Sequence, residues 1–232
     1  MNPERRFERY PVLLDVGGRL AVVIGSTRAA ERTAAVLAAH GADVVVITSE
    51  VTESLVELEA SGVLTVEQRG YVRGDLADAF IAVAASGSPE IDAAVREEAR
   101  AAGVLVSVAA DADASDFTIP SVVQRGPLQI AVSTGGIAPV VARRVRREIA
   151  TAYGTEWGVY TALLGAVRTR AIERFGVGDA ELKPLFDSIA DSDLLGRIRA
   201  GEDPSADEVL EQHAAAMEPE AETEALPEEE TP

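Results

Sequence analysis

Residues 20–33 read LAVVIGSTRAAERT, and the fold turns on what this stretch is. Leu20–Ile24 is an unbroken apolar run, a candidate strand, and it ends at Gly25. Ala29–His40 follows with Ala34, Leu37 and Ala38 on one helical face and Gly41 as a stop. A strand that passes through a glycine into a helix is the first half of a βαβ unit. A dinucleotide loop of this kind has the form G-x-G-x-x-G/A. Its first Gly makes the tight turn, the second lets backbone approach a pyrophosphate, and the third allows close helix–strand packing. The matching positions are Gly25, Thr27 and Ala30, so a Cβ stands at the second. Ser26 and Thr27 offer hydroxyls, the helix N-terminus offers N–H groups, and Arg28 offers a positive charge. Two readings stay open: a nucleotide site without its usual glycines, or a plain βα turn in which Ser or Thr caps the helix.

Working outward, VVVIT (44–48) is a second strand and Glu53–Ala60 a helix. Leu64–Gln68 and the stretch 77–86 hold further strands, Ile91–Ala102 is a helix before Gly103, and Val104–Val108 is a strand. These runs are continuous rather than alternating, which suits strands covered on both faces. The order β-α-β-α-β-β-α-β predicts an α/β protein: a Rossmann-like doubly wound parallel sheet with right-handed crossovers. The second strand ends ITSE (47–50), where Ser49 or Glu50 can accept from a ribose 2′-hydroxyl. No Lys or Arg stands nearby to hold a 2′-phosphate, which favours NAD over NADP.

The character changes after residue 116. PSVVQRGPLQIAVSTGG (120–136) reads as two strands about a Gly-Pro turn, and Pro139 with VVARRVRREIATAY (140–153) as a helix. Residues 156–175 and 180–199 read as two more helices. The chain thus divides into a nucleotide-binding domain (1–116), a small α/β domain (117–155), a helical domain (156–202) and an acidic tail (203–232), disordered from about 214.

Composition bounds the function. The 232 residues are 47% hydrophobic, enough for a real core. No run of eighteen apolar residues suggests a membrane span, and MNPERRFERY has no apolar stretch of the signal-peptide kind. Cysteine is absent, which excludes disulfides, thiolate metal sites and Cys nucleophiles, and a cytoplasmic location is expected. Of the formal charge of −18, residues 201–232 contribute twelve acids and no base, leaving 27 acids against 21 bases in residues 1–200. Such a chain repels phosphate backbones, so no nucleic-acid partner is expected.

Two more constellations carry chemistry. In STGGIAPVVARRVRRE (133–148), Thr134, Gly135 and Gly136 precede a helix on which Arg143, Arg146 and Arg147 share one face. Together they suit a carboxylate or phosphate ligand, since arginine pairs with carboxylates bidentately. The other reading is a solvated face with salt bridges between subunits. AADADASDFTIP (109–120) follows the last parallel strand and holds Asp111, Asp113 and Asp116, at the edge where doubly wound sheets place their chemistry. Turn formation is the competing role for each Asp. The two histidines, His40 and His213, are poorly placed as bases, so proton transfer falls to a carboxylate. No metal-ligand spacing is found.

YPVLLDVGGRLAVVIG (10–25) and, more specifically, SDFTIPSVVQRGPLQIAVSTGGIAPVVARRVRREI (115–149) resemble the bifunctional precorrin-2 dehydrogenase/sirohydrochlorin ferrochelatase family, the N-terminal module of sirohaem synthase. The resemblance covers roughly residues 8–200. It implies NAD-dependent oxidation of precorrin-2 to sirohydrochlorin, with insertion of Fe2+ as a further step in bifunctional members. It also implies a homodimer in which the domain at 117–155 exchanges between subunits. On this resemblance the dinucleotide contacts fall at Arg28, Ala29, Ser49 and Glu50, and Thr134 matches a hydroxyl position. The eight carboxylates of precorrin-2 suit Arg125, Arg143 and Arg147. Two departures stand out. The family's acid/base Asp, ten residues before the Pro matched by Pro120, is Ala110 here, with Asp111 beside it and Ala112 where the family has Pro. The nucleotide loop is glycine-poor. Asp111 is therefore the candidate acid/base. The alternative is a chelatase or a non-catalytic tetrapyrrole-binding protein that has lost NAD-dependent activity.

Overall fold

In the computed structural model of the chain, residues 9–109 and 111–217 are described. The readings placed on the first eight residues, on Ala110 and on the tail beyond Met217 lie outside them. The apolar run 20–24 is strand β1 (Leu20–Ile24), followed by α1 (Arg28–Ala39), β2 (Asp43–Thr48), α2 (Glu53–Ala60), β3 (Thr65–Gln68), β4 (Ile81–Ala84), α3 (Pro89–Ala102) and β5 (Leu105–Val108). The five strands form one parallel sheet in the order β3-β2-β1-β4-β5.

Period-two alternation explains why these strands are apolar throughout. Val23 of β1 packs with Ala30 and Ala34 of α1 in one core, whereas Val22 and Ile24 pack with Val95 and Ala99 of α3 in another. The helices after β1 and β4 therefore cover opposite faces. Each fully buried Val or Ile contributes about 1.5–3 kcal/mol relative to exposure. Helix starts follow the same chemistry three times: Thr27, Thr52 and Ser88 accept from the N–H groups of Ala30, Leu55 and Ile91.

A buried carboxylate shapes the β3–β4 connection. Glu98 of α3 accepts from the Tyr71 hydroxyl (2.5 Å) and from the N–H groups of Gly74 and Leu76 (3.0 Å each), which seats Leu76 in the core. Burial alone would raise the Glu98 carboxyl, but its three donors outweigh that and hold it below the usual carboxylate range.

The chain divides into two compact units. The described residues up to Pro120 join Ser133–Val141 in one, and Ser121–Val132 joins the described residues from Ala142 onward in the other. The second unit contains the antiparallel hairpin β6 (Ser121–Arg125) and β7 (Leu128–Val132), most of α4 (Pro139–Ala152), then α5 (Glu156–Phe175), α6 (Lys183–Ala190), α7 (Leu194–Arg199) and α8 (Ala206–His213). The hairpin tip and α5 meet through glycines: a Cβ on Gly158 would lie 2.9 Å from the backbone carbon of Arg125.

Two expectations are corrected here. The helix expected over 180–199 is broken, because Ser192 donates to the Ile189 carbonyl (2.6 Å) and accepts from the Leu194 N–H (3.3 Å), so its hydroxyl competes with the helical bonds. The tail expected from 203 begins instead with an ordered helix. Ser205 caps α8, and Ala206, Val209 and Leu210 are buried in the helical core with Val167, Leu185 and Ile189. Among the described residues no helix is long and apolar enough to cross a membrane.

Candidate active site

In an open parallel sheet, ligands bind beyond the carboxyl ends of the strands where the chain direction of winding reverses. Here that point lies between β1 and β4. Gly25 leaves β1 at φ +109°, and a Cβ built on it would lie 2.4 Å from the Ala85 carbonyl oxygen and 2.5 Å from the Ser86 Cα. The loops after β1 and β4 thus touch backbone to backbone, and only glycine allows it.

The next residue but one ties the two loops together. The Thr27 hydroxyl donates to the Ala85 carbonyl (2.9 Å) and accepts from the Ala30 N–H (3.3 Å). Its methyl faces Gly87, where a Cβ would lie 3.6 Å away. Thr27 is thus the helix cap, and the N–H groups of Arg28 and Ala29 are left without an intrahelical acceptor. Arg28 is exposed at that end. The loop is a capped βα turn, and its helix start carries N–H groups of the kind that suit an anion.

The opposing loop, Ala85–Ser88, escaped the sequence reading. Asp92, 6% exposed, accepts from the Ser86 N–H (3.0 Å) and hydroxyl (2.7 Å), and the Ser88 N–H donates back to the Ser86 hydroxyl (3.0 Å). The signal was present in SGSPE (86–90), a small-residue turn with Ser before Pro at a helix start.

On one side of this crevice β2 ends at buried Thr48, whose hydroxyl accepts from the Glu50 N–H (3.3 Å), leaving Ser49 and Glu50 exposed. On the other side, beyond β5, lies Asp111. Strand spacing puts the end of β5 about 10 Å from that of β1. The Asp111 Oδ1 accepts from the N–H groups of Asp113 (2.9 Å) and Ala114 (3.1 Å), while Oδ2 takes no hydrogen bond among the described residues. Asp111 is therefore both a turn former and an exposed carboxylate with one free oxygen. Arg9 braces the same turn, its guanidinium donating to the carbonyls of Ala112 (2.5 Å) and Asp116 (3.1 Å). Asp116 accepts from the Val106 N–H (3.1 Å) and is structural.

The glycine pair joins this edge. Gly135 and Gly136 both have positive φ, and a Cβ on Gly136 would lie 3.1 Å from the Ala112 Cβ, so the 133–136 loop packs against the Asp111 turn. Thr134 accepts from the Ala138 N–H (3.3 Å), capping the start of α4. The first unit thus gathers Gly25, Ser26, Thr27, Arg28, Ala29, Ser49, Glu50, Asp111, Thr134, Gly135 and Gly136 along one sheet edge. A positive-φ glycine at close backbone approach, free N–H groups at a helix start and acceptors at the end of β2 are the features a dinucleotide requires, and these residues fit one.

The arginines belong to the second unit. Arg143 and Arg147 are exposed, four residues apart, with no ion pair among the described residues, whereas Arg144 pairs with Glu148 at 3.0 Å. Arg125, expected to meet substrate, is engaged with backbone. Its guanidinium donates to the carbonyls of Ala150 (2.9 Å), Tyr153 (2.8 Å) and Gln124 (3.0 Å), filling the acceptors at the end of α4.

The chain is similar to known proteins along most of its length. Residues 12–121 match a family described as "Putative NAD(P)-binding", and residues 125–152 one described as "Sirohaem biosynthesis protein central". The chain is 31% identical over 201 residues to a siroheme synthase of Nitrosococcus oceani, covering 87% of this chain and 43% of the relative. It is 30% identical over 214 residues to one of Stutzerimonas stutzeri, covering 92% and 46%. The chain therefore spans less than half the length of these relatives. A solved structure titled "SirC, precorrin-2 dehydrogenase" superposes with a TM-score of 0.70 at 25% identity, over 89% of this chain and all of that one.

Proposed function

Because the chain belongs to the precorrin-2 dehydrogenase/sirohydrochlorin ferrochelatase family, the N-terminal module of sirohaem synthase, we propose that it oxidises precorrin-2 to sirohydrochlorin with NAD+. The observation that carries this is the layout of the sheet edge. A glycine-turned helix start lies at the switch point, free acceptors stand beyond β2 on one side, and an open carboxylate stands beyond β5 on the other.

The oxidation removes a hydride and a proton from the tetrapyrrole. NAD+, when bound, supplies the hydride acceptor at its nicotinamide ring. The chain's own residues do the rest. Arg28 and the N–H groups of Arg28 and Ala29 hold the pyrophosphate, and Glu50 or Ser49 accepts from the adenosine ribose. Asp111, fixed through Oδ1, takes the proton on Oδ2. Gly135 and Gly136 let the substrate approach backbone beside that carboxylate, and in the second unit Arg143 and Arg147 are exposed guanidinium groups of the kind that pair with carboxylates. Asp111 is also the group that would accept pyrrole protons if Fe2+ is inserted as a second step. The working form in this reading is the homodimer.

One observation favours a second reading. The Thr27 methyl stands in the crevice where a glycine would leave room, which suits a protein that binds tetrapyrroles without NAD. Calorimetric titration with NAD+ separates the two. Saturable binding supports the dehydrogenase, and binding of sirohydrochlorin with no heat from NAD+ supports the carrier.

A further inference from the structure

We propose that Thr27 is a positioning residue for the dinucleotide, acting by fastening the β1 loop to the β4 loop; this rests on the dehydrogenase reading above. The fingerprint leaves the second position empty of side chain so that backbone and pyrophosphate can meet. This chain fills it, and the side chain does not project as an obstacle alone. Its hydroxyl is used twice, as donor to the Ala85 carbonyl and as acceptor from the Ala30 N–H. Ala85 is also the residue whose carbonyl oxygen would lie 2.4 Å from a Cβ on Gly25.

The bonds continue beyond Ala85. Ser86 is held through its N–H and its hydroxyl by Asp92, a carboxylate 6% exposed with no role in the proposed chemistry. A continuous run of hydrogen bonds therefore links the first turn of α1, through Thr27, Ala85 and Ser86, to the first turn of α3. These are the two helices that start on either side of the switch point. Across the crevice Gly87, at φ +84°, carries no Cβ toward the Thr27 methyl. Room given up at position 27 is kept at position 87. The separation of the two loops, which sets where the middle of the dinucleotide lies, is thus fixed before any ligand arrives.

The test compares T27V, which keeps the shape and loses the hydroxyl, with T27S, which keeps the hydroxyl and loses the methyl. NAD+ affinity is measured by calorimetry, and amide exchange of residues 85–88 is followed without ligand. T27V is expected to weaken NAD+ by about tenfold and to speed exchange in the β4 loop. T27S is expected to stay within about threefold of the parent. In turnover the loss falls on KM for NAD+, with kcat at saturating NAD+ nearly unchanged. S86A loosens the same loop from its other end and is expected to weaken NAD+ likewise, which keeps the test decisive where T27V does not fold. Parent-like binding by T27V, or by S86A in its place, overturns the proposal, as does a T27S variant as weak as T27V. If the parent protein itself binds no NAD+, the dehydrogenase reading fails and this inference falls with it.

Discussion

Gly25 and Ala85 meet backbone to backbone at the centre of the sheet edge, where a Cβ on the glycine would lie 2.4 Å from the alanine carbonyl oxygen. The contact joins the loops after β1 and β4, and it is made at φ +109°, where an L side chain is strained. Gly25→Ala is therefore expected to lose about 2–4 kcal/mol of stability in urea titration. It is also expected to lose NAD+ binding, since the clash separates the two loops that bound the crevice.

Asp111 offers a cleaner separation of fold from chemistry. Asparagine retains the Oδ1 that caps the turn from Asp113 and Ala114, so Asp111→Asn is expected to fold, melt and bind NAD+ like the parent. With no carboxylate oxygen left to take a proton, kcat is expected to fall by about 10²–10⁴-fold. Full activity in this variant would move the proton acceptor elsewhere.

Arg125 is expected to act on stability and not on substrate. Arg125→Gln removes donors from the carbonyls of Ala150 and Tyr153, at a cost of about 1–2 kcal/mol. KM for the tetrapyrrole stays unchanged. Arg143→Gln and Arg147→Gln, with side chains that are exposed and without an ion pair among the described residues, are expected to show the opposite pattern: unchanged melting and a raised, salt-sensitive KM.

Acid sensitivity is expected at Glu98. Its folded-state value lies below the unfolded one. Its contribution is therefore complete above the unfolded value and is lost as pH falls through the folded value. Melting temperature of the parent should drop more steeply between about pH 5 and about pH 3 than that of Glu98→Gln. The variant starts lower, because the amide nitrogen that replaces one carboxylate oxygen cannot accept from the N–H group that bonds that oxygen, Gly74 on one side or Leu76 on the other.

The parallel sheet was legible in the sequence because its strands are buried on both faces and so read as continuous runs. Leu20–Ile24 is apolar at each position, and both of its faces are covered. The helical region was less legible. Ser192 interrupts 180–199 through a hydroxyl bond no periodicity reveals, and α8 is charged on its outer face, so composition hid the buried Val209 and Leu210. The backbone acceptors of Arg125 were not legible, because they lie 25 and 28 residues away. The Ala85–Ser88 loop was not legible because only the strand order β1-β4 sets it against Gly25.

The central claim is tested most directly by supplying precorrin-2 and NAD+ to the folded protein and measuring NADH against sirohydrochlorin. The account predicts one NADH for each sirohydrochlorin formed, with Asp111→Asn defective in turnover. Tetrapyrrole binding with no NADH above background would contradict it.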